Sequence, residues 1–209
     1  VIGPASPYPP VRRFRRFAAS GGSDPPMSGL SLPPIEDLDV DDLASLPKPY
    51  RYELREGNLV IAAPSSFWHK VMARRVLLML HASGLNVFQD PGVRGDRPRD
   101  NRVPDLGVVS RLPPGLGTYS NLPAGSFGLV VEIVSEGAAN GEYTDKAAWY
   151  AEHGIPEYWI VDRTPDRADD DAFVFVHRLL LAGGEPIYGR ERNVLLSELE
   201  AEYSDIAAG

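Results

Sequence analysis

The sequence contains no cysteine and only four histidines among its 209 residues. Without cysteine, neither a disulfide framework nor a thiolate metal site can form, so any bound metal must have oxygen or imidazole ligands. The histidines do not recur at the i, i+4 spacing of a helical metal-binding pair. A glycine-rich phosphate loop ending in Lys-Ser or Lys-Thr is also missing, which argues against nucleotide hydrolysis.

Long apolar runs and excess positive charge are missing as well. No uninterrupted run of about 18 apolar residues occurs, so the sequence predicts no membrane span. The 21 basic residues against 29 acidic residues give a formal charge of −8, which argues against a protein that holds nucleic acid mainly through a broad basic surface. A local basic rim stays compatible with that average. The candidates for such a rim are Arg74, Arg75, Arg94, Arg97 and Arg99. The alternative is that these arginines belong to an ordinary solvated surface.

The first 26 residues differ from the rest, because they are rich in proline, glycine and serine and contain four arginines. This composition is typical of disordered chain, and it lacks the apolar stretch of a secretory signal. We predict a disordered tail over residues 1–34 and one domain over residues 35–205. The arginines fit a solvated tail or, alternatively, an arm that contacts DNA. Met27 is a candidate natural start, which N-terminal sequencing of the native protein would test.

The rest of the sequence alternates short apolar runs with segments of helical periodicity. Ser65 or Ser66 can cap a helix that Gly84 ends, and Gly154 and Pro156 end a second helix. This order predicts an α/β (α+β) fold with a mixed central β-sheet flanked by helices. We expect a short acidic helix or turn at 35–47, a hairpin at 50–63, a strand running into a turn at 86–95, strands at 102–110, 129–137, 157–162 and 173–181, and helices at 65–84, 140–154 and 193–203. The apolar run at 157–162 indicates a strand that is buried on both faces.

Two of the apolar runs each carry one carboxylate. Asp105 lies in "RVPDLGVVS" (102–110), and Glu132 lies in "LVVEIVSEG" (129–137). If the two strands are neighbours, the alternation of side chains allows Asp105 and Glu132 to lie side by side. Two close carboxylates stay ionised together only with a cation between them, and all-oxygen ligation suits Mg²⁺ or Mn²⁺.

A lysine follows on the next predicted helix. Lys146 lies in its first two turns, close to the end of the Glu132 strand, so its ammonium can reach the carboxylates. Asp, Glu and Lys around a divalent cation suit the hydrolysis of phosphodiesters. Each residue alone also has a simpler explanation: Asp105 as a turn residue after a proline, Glu132 on an exposed strand face, and Lys146 in solvent. Trp149, Tyr150, Tyr158 and Trp159 are expected to pack helix against sheet.

Six blocks in order carry a resemblance to a known family: "YRYELREGNLV", "HKVMARRVLLML", "RVPDLGVV", "LVVEIVSEG", "DKAAWYAEHGIPEYWIVD" and "VFVHRL". Together they resemble the Uma-type restriction-endonuclease family of the PD-(D/E)XK nuclease superfamily, over roughly residues 36–203. The resemblance implies a restriction-endonuclease-like core. It is specific because six separated blocks agree.

The resemblance also implies roles for individual residues. The PD motif maps onto Pro104 and Asp105, and the second acidic position maps onto Glu132. Many superfamily members have a lysine two residues after the glutamate, but this position is Val134 here. Lys146 instead matches the lysine that the family places on the following helix. The implied metal ligands are Asp105, Glu132 and the carbonyl of Ile133. The implied catalytic residues are Asp105, Glu132, Lys146 and Glu53. His69 is either a site residue or a helix-start histidine packed on the sheet. The segment "AANGEYT" (138–144) departs from the family because it has no basic residue.

The implied activity is that of a metal-dependent DNA endonuclease that hydrolyses phosphodiester bonds with Mg²⁺ or Mn²⁺. DNA is the expected partner, a homodimer would allow both strands to be cut, and a cytoplasmic location without membrane association is expected. Two alternatives stay open. One is a catalytically inactive binding or regulatory module that keeps the nuclease fold, which the acidic charge favours. The other is a metal-dependent hydrolase that acts on something other than DNA.

Overall fold

The computed structural model describes residues 34–46, 50–62, 64–112, 115, 117, 121–135 and 141–208. The predicted disordered tail therefore lies outside the described residues except for Pro34. The domain boundaries at 35 and 205 stay predictions, although described elements run from Ile35 to Ala208. None of the described helices is long and apolar enough to cross a membrane.

The described elements are eleven strands, three α-helices and short 3₁₀ turns. The helices are α1 (Phe67–Ala82), α2 (Asp145–Glu152) and α3 (Leu196–Ala208). The strands are β1 (Tyr52–Arg55), β2 (Asn58–Ile61), β3 (Val87–Gln89), β4 (Gly92–Arg94), β5 (Asn101–Arg102), β6 (Leu106–Val109), β7 (Asn121–Pro123), β8 (Phe127–Ile133), β9 (Glu157–Asp162), β10 (Phe173–Ala182) and β11 (Glu185–Leu195).

A six-stranded mixed sheet forms the centre of the fold. Its strand order is β11-β10-β9-β8-β6-β3, and β8 and β9 are parallel while the other neighbours are antiparallel. The parallel pair requires a crossover connection, and that connection contains α2. The predicted α/β fold with a restriction-endonuclease-like core is confirmed.

Each face of the central sheet is covered by helices, as the alternation of strand side chains requires. In β8, Val131 and Ile133 face α1 and α3, whereas Val130 faces α2. In β9, Trp159 belongs to the α1 core and Tyr158 to the α2 core. The prediction that β9 is buried on both faces is therefore confirmed. Glu132 lies on the α2 face of β8, where an apolar residue would otherwise be expected.

The predicted hairpin and its neighbouring helix are confirmed. Arg55 pairs with Asn58 across a turn in which Glu56 and Gly57 have φ values of 50° and 83°. Positive φ at both central residues is the geometry that matches the right-handed twist of the two strands. At the start of α1, the Ser66 hydroxyl accepts a hydrogen bond from the His69 backbone N–H at 3.2 Å, which satisfies one of the free N–H groups of the first turn.

Several expectations were wrong in their extent. Among the described residues, the strand predicted at 129–137 covers Phe127–Ile133, and the helix predicted at 140–154 covers only Asp145–Glu152. The strand predicted at 86–95 is two strands in different sheets, β3 and β4, separated at Asp90, whose φ is 49°. The strand predicted at 102–110 is interrupted at Pro104, which has no N–H for the ladder, so Asp105 precedes β6. The predicted terminal helix begins only at Leu196, because residues up to Leu195 form β11. Gly183 and Gly184, both with positive φ, make the turn that signals this last hairpin.

The packing of the central sheet leads to a test with two strand glycines. A Cβ on Gly107 of β6 would lie 2.8 Å from carbons of Phe127 and Pro91, whereas the nearest atom to a Cβ on Gly128 of β8 is 3.5 Å away. We expect Gly107→Ala to lower the free energy of unfolding by about 1–3 kcal/mol through overpacking. Gly128→Ala is the matched control and should be neutral or slightly stabilising. Urea denaturation followed by circular dichroism measures both, and equal effects would contradict this packing.

Candidate active site

The two carboxylates singled out in the sequence lie at one end of the central sheet. Leu106 of β6 pairs with Val131 of β8 in antiparallel register. Asp105, which precedes Leu106, therefore lies opposite Glu132, which follows Val131. Both side chains are buried, with 5% and 1% of their surface exposed. The expectation that they lie side by side is met, although Asp105 precedes its strand.

Asp105 is held by three donors from three separate parts of the chain. Its Oδ2 accepts the backbone N–H of Ile133 at 2.8 Å and lies 3.1 Å from Nε2 of His69 on α1. Its Oδ1 accepts from Nη1 of Arg51 at 3.0 Å. Burial alone would raise the pKa of Asp105, but the hydrogen bonds and charges of His69, Arg51 and Ile133 N–H outweigh it and lower the pKa to about 2. Asp105 is therefore ionised at neutral pH.

Glu132 is held from α2. Lys146 Nζ donates to Oε2 at 2.8 Å, and the Tyr150 hydroxyl donates to Oε1 at 2.8 Å. Lys146 and Tyr150 are one helical turn apart, so one face of α2 supplies both donors. Burial, the largest influence, and the negative charge of Asp105 raise the pKa of Glu132 to about 7, although Lys146 opposes the shift. The predicted approach of Lys146 to the carboxylates is observed.

Glu53 reaches the same cluster from the first hairpin. In β1, Tyr52 and Leu54 belong to a separate apolar cluster, so Glu53 points to the opposite side. Its Oε1 accepts the backbone N–H of Val103 at 3.0 Å, and its Oε2 lies 2.7 Å from Nη2 of Arg55. The charge of Glu53 contributes to the raised pKa of Glu132, so the two carboxylates are close enough to interact.

His69 and Ile133 are both at the site, in ways that refine the predictions. His69 is buried and its imidazole contacts Asp105, which favours a site role over simple packing on the sheet. Ile133 contacts Asp105 through its N–H. A ligand role for the carbonyl of Ile133 stays a prediction.

The aromatic residues of α2 and β9 pack helix against sheet, as expected. Tyr150 and Tyr158 are fully buried with ring centroids 5.4 Å apart. Behind them, the Trp149 indole N–H donates to the buried carboxylate of Asp100 at 2.7 Å, and Asp100 also accepts from Arg102 at 2.8 Å. These contacts fix α2, and with it Lys146, relative to the strand segment that leads to Asp105.

The five arginines proposed as a basic rim are mostly engaged elsewhere. Arg75 binds Glu200 of α3 at 2.7 Å, and Arg94 binds Asp41. Arg99 donates to the backbone carbonyls of Glu36 and of Gly57 in the hairpin turn. These three side chains tie elements together, so they are poor candidates for binding a phosphate backbone.

Arg51, Arg55 and Tyr150 are the site residues that sequence reasoning missed. Arg51, Glu53 and Arg55 alternate along "RYELR" and therefore lie on one side of β1. This period-two pattern of charge was the available signal. For Tyr150 the signal was its i+4 spacing from Lys146 on α2.

The donor set suits a hard divalent cation. Among the residues that the structure describes, no three His, Asp or Glu side chains already converge as the ligands of one ion. Carboxylate oxygens are nevertheless the preferred ligands of Mg²⁺ and Mn²⁺. Oδ1 of Asp105 and both oxygens of Glu132 each accept one hydrogen bond from the described residues. Since a carboxylate oxygen has two lone pairs, each of these oxygens can still bind a cation.

The two adjacent buried tyrosines of α2 and β9 test the electrostatics of Glu132. The Tyr150 hydroxyl donates to the Glu132 carboxylate, whereas the Tyr158 hydroxyl donates to the backbone carbonyl of Glu142 at 2.7 Å. At pH 8 we expect Tyr150→Phe to lower the free energy of unfolding by about 1.5–3 kcal/mol and Tyr158→Phe by about 1 kcal/mol, because a charged acceptor strengthens the bond.

The two variants should differ in their response to pH. Below the Glu132 pKa of about 7 the carboxyl is neutral, so the loss caused by Tyr150→Phe should shrink between pH 8 and pH 5.5. The loss caused by Tyr158→Phe should stay constant. Urea denaturation at the two pH values measures both, and a pH-independent loss in Tyr150→Phe would contradict the assigned charge state.

Comparison with known proteins places this site in a family. A family model described as "Uma2: Putative restriction endonuclease" matches residues 39–197, well over half of the chain. The chain is also similar in structure to a "putative nuclease belonging to DUF820" from Anabaena variabilis ATCC 29413, with a TM-score of 0.55 and 19% identity over 82% of this chain and 98% of that chain. That likeness shows a shared fold. No curated protein matches the chain. The family resemblance seen in the sequence is thus confirmed, and the chain belongs to the Uma2 family of restriction-endonuclease-like proteins.

Proposed function

We propose that this protein is a metal-dependent DNA endonuclease that hydrolyses phosphodiester bonds with Mg²⁺ or Mn²⁺. The observation that carries the proposal is the convergence of Asp105, Glu132 and Lys146 at one end of the central sheet, with Lys146 Nζ 2.8 Å from Glu132. Membership in a family described as restriction endonucleases supports the same reaction class. Oxygen ligands and a buried ammonium suit phosphoryl chemistry, in which positioning and charge stabilisation supply most of the catalysis.

Asp105 and Glu132 would hold the cation, with the carbonyl of Ile133 as a further ligand. A divalent cation bound there supplies Lewis acidity, which polarises the scissile phosphate and acidifies water. The N–H of Ile133 and the ring of His69 hold the Asp105 carboxylate in one orientation. Such support keeps a ligand in place before the cation arrives.

Lys146 would orient the attacking water and stabilise the negative charge that develops on the phosphate. Its side chain is only 10% exposed, so its ammonium acts in a site where charge interactions are stronger than in water. Burial would lower the pKa of Lys146, but the charges of Glu132 and Glu53 outweigh it and raise the pKa above its usual value. Lys146 is therefore cationic at neutral pH, which suits charge stabilisation. Glu53, which contacts Arg55, would contribute to the charge balance of the site.

The substrate, assembly and location of the protein belong to the same proposal. DNA is the proposed substrate, and a homodimer would place one such site on each strand of a duplex. A cytoplasmic location stays a prediction.

A second candidate function is a binding or regulatory module that keeps the nuclease fold without catalysis. The formal charge of −8 and the engagement of Arg75, Arg94 and Arg99 with other parts of the protein favour it. Titration calorimetry with Mn²⁺ separates the two functions, because a module with a relict site has no requirement to bind metal.

Plasmid cleavage in Mg²⁺ and in Mn²⁺ tests the proposed reaction. We expect metal-dependent nicking or linearisation by the wild type, and a loss of about 10²–10³-fold or more in Asp105→Ala, Glu132→Ala and Lys146→Ala, as expected when a group that stabilises the transition state is removed. The folded state of each variant is checked by circular dichroism.

Lys70→Ala is the control for the lysine. Lys70 is an exposed residue of α1, so its removal changes the net charge equally without touching the site. It should cleave like the wild type. Full activity in a folded Asp105 or Glu132 variant would overturn the site assignment, and no metal binding and no cleavage by the wild type would favour the binding module.

Cation binding should depend on pH, because Glu132 must lose a proton to become a ligand. Its pKa of about 7 in the metal-free protein means that the carboxyl is largely protonated at pH 6 and ionised at pH 8. We expect the Mn²⁺ affinity to rise about tenfold between pH 6 and pH 8, since one proton competes with the metal below the pKa. Calorimetry in buffers of different ionisation enthalpy should detect the released proton at pH 6, and an affinity that does not change with pH would contradict the prediction.

A further inference from the structure

Two arginines beside β1 lie over the carboxylates of the proposed cation site. Arg51 Nη1 is 3.0 Å from Oδ1 of Asp105, and Arg55 Nη2 is 2.7 Å from Oε2 of Glu53. The two arginine side chains are 32% and 37% exposed, whereas the two carboxylates are 5% and 7% exposed. A ligand that arrives from solvent therefore meets the guanidinium groups before the carboxylates.

Each of the three buried carboxylates of this cluster has one basic partner, and the half-exposed Asp90 also binds Arg51. Arg51 pairs with Asp105, Arg55 pairs with Glu53, and the third carboxylate, Glu132, pairs with Lys146 at 2.8 Å. A bound divalent cation would add two positive charges to these three pairs. Because uncompensated charge in a largely buried site is costly, the loaded site requires an anion. A nucleic-acid backbone, with one negative charge per phosphate, has the matching chemistry.

The guanidinium group of Arg51 has donors left for such an anion. It uses the same nitrogen, Nη1, for Asp105 and for the half-exposed Asp90. Among the described residues, its hydrogen bonds all come from Nη1, so Nη2 stays available to an oxygen that arrives from solvent. Arginine presents five N–H donors in a planar fork that matches phosphate oxygens, so a phosphate would use donors that the protein itself leaves idle.

We infer that Arg51 and Arg55 bind backbone phosphates of the nucleic-acid substrate at the cleavage site once a divalent cation compensates the carboxylates. This inference rests on the proposed nuclease function and adds the residues that dock the substrate. The two arginines then have two states. They neutralise Asp105 and Glu53 in the metal-free protein, and they contact phosphate in the loaded protein.

Binding of a fluorescent DNA duplex, measured by anisotropy in Ca²⁺ and in EDTA over a range of salt concentrations, tests the inference. The wild type should bind more tightly in Ca²⁺ than in EDTA. In Ca²⁺, Arg51→Gln and Arg55→Gln should each weaken binding about tenfold and reduce the slope of log Kd against log salt by about 0.9, the contribution of one phosphate contact. Arg51→Lys should keep the slope, since lysine binds phosphate as a point charge.

Arg178→Gln is the matched control. Arg178 is 52% exposed and, like Arg51, bridges two carboxylates, those of Glu157 and Glu191. It lies opposite the first residue of β9, at the end of the sheet away from Glu132. Its replacement removes the same charge and should leave the Ca²⁺-dependent affinity and the salt slope unchanged.

Metal binding and cleavage separate failure of this inference from failure of the proposed function. Mn²⁺ should still bind the arginine variants in calorimetry, because neither arginine is a ligand. Wild-type cleavage with an unchanged affinity and slope in both variants overturns the phosphate contact and leaves the nuclease intact. Loss of Mn²⁺ binding in Arg51→Gln or Arg55→Gln also overturns it, since the arginine would then act on the carboxylates. A wild type that binds no DNA in Ca²⁺ and cleaves none in Mg²⁺ overturns both.

Discussion

The hydrogen bond from the Ile133 N–H to the Asp105 carboxylate is the contact on which the site depends. Pro104 interrupts the strand pairing before β6. The Asp105 side chain accepts the N–H of Ile133 in β8, which a backbone carbonyl would accept if β6 were longer. The same carboxylate contacts His69 of α1 and Arg51 beside β1. One side chain therefore joins the sheet end, a helix and the hairpin, and the structural need for an acceptor coincides with the need for a fixed carboxylate in the proposed cation site.

The charged groups of the site are buried, and partners within the protein compensate their charges. Asp105, with three donors, keeps a pKa near 2, while Glu132, with burial as the dominant influence, has a pKa near 7. Two carboxylates at the same sheet end thus differ in charge state because their neighbours differ. A cation at the proposed site would favour the ionised form of both.

Sequence reasoning succeeded where periodicity and spacing carry the information. The sequence allowed Asp105 and Glu132 to lie side by side if their strands were neighbours, with Lys146 within reach, and the structure brings these side chains together. The arginines of "RYELR" were missed because a strand pattern gives the side on which residues lie but not which element that side meets. β11 was missed because its exposed, charged residues and Pro186 obscure the alternation of a strand. Only tertiary pairing with β10 makes it one.

The position of Lys146 on α2 has a consequence for how such a site can vary. A lysine two residues after the glutamate would share its strand and be oriented by the pleat, but here that position is Val134, and the ammonium is delivered by a separate helix. That helix is docked by Trp149 and Asp100, away from the carboxylates. Tyr150 of the same helix also donates to Glu132, whereas the donors of Asp105 come from outside α2. A change in helix docking would therefore move the ammonium and the donors of Glu132 together and leave the contacts of Asp105 unchanged.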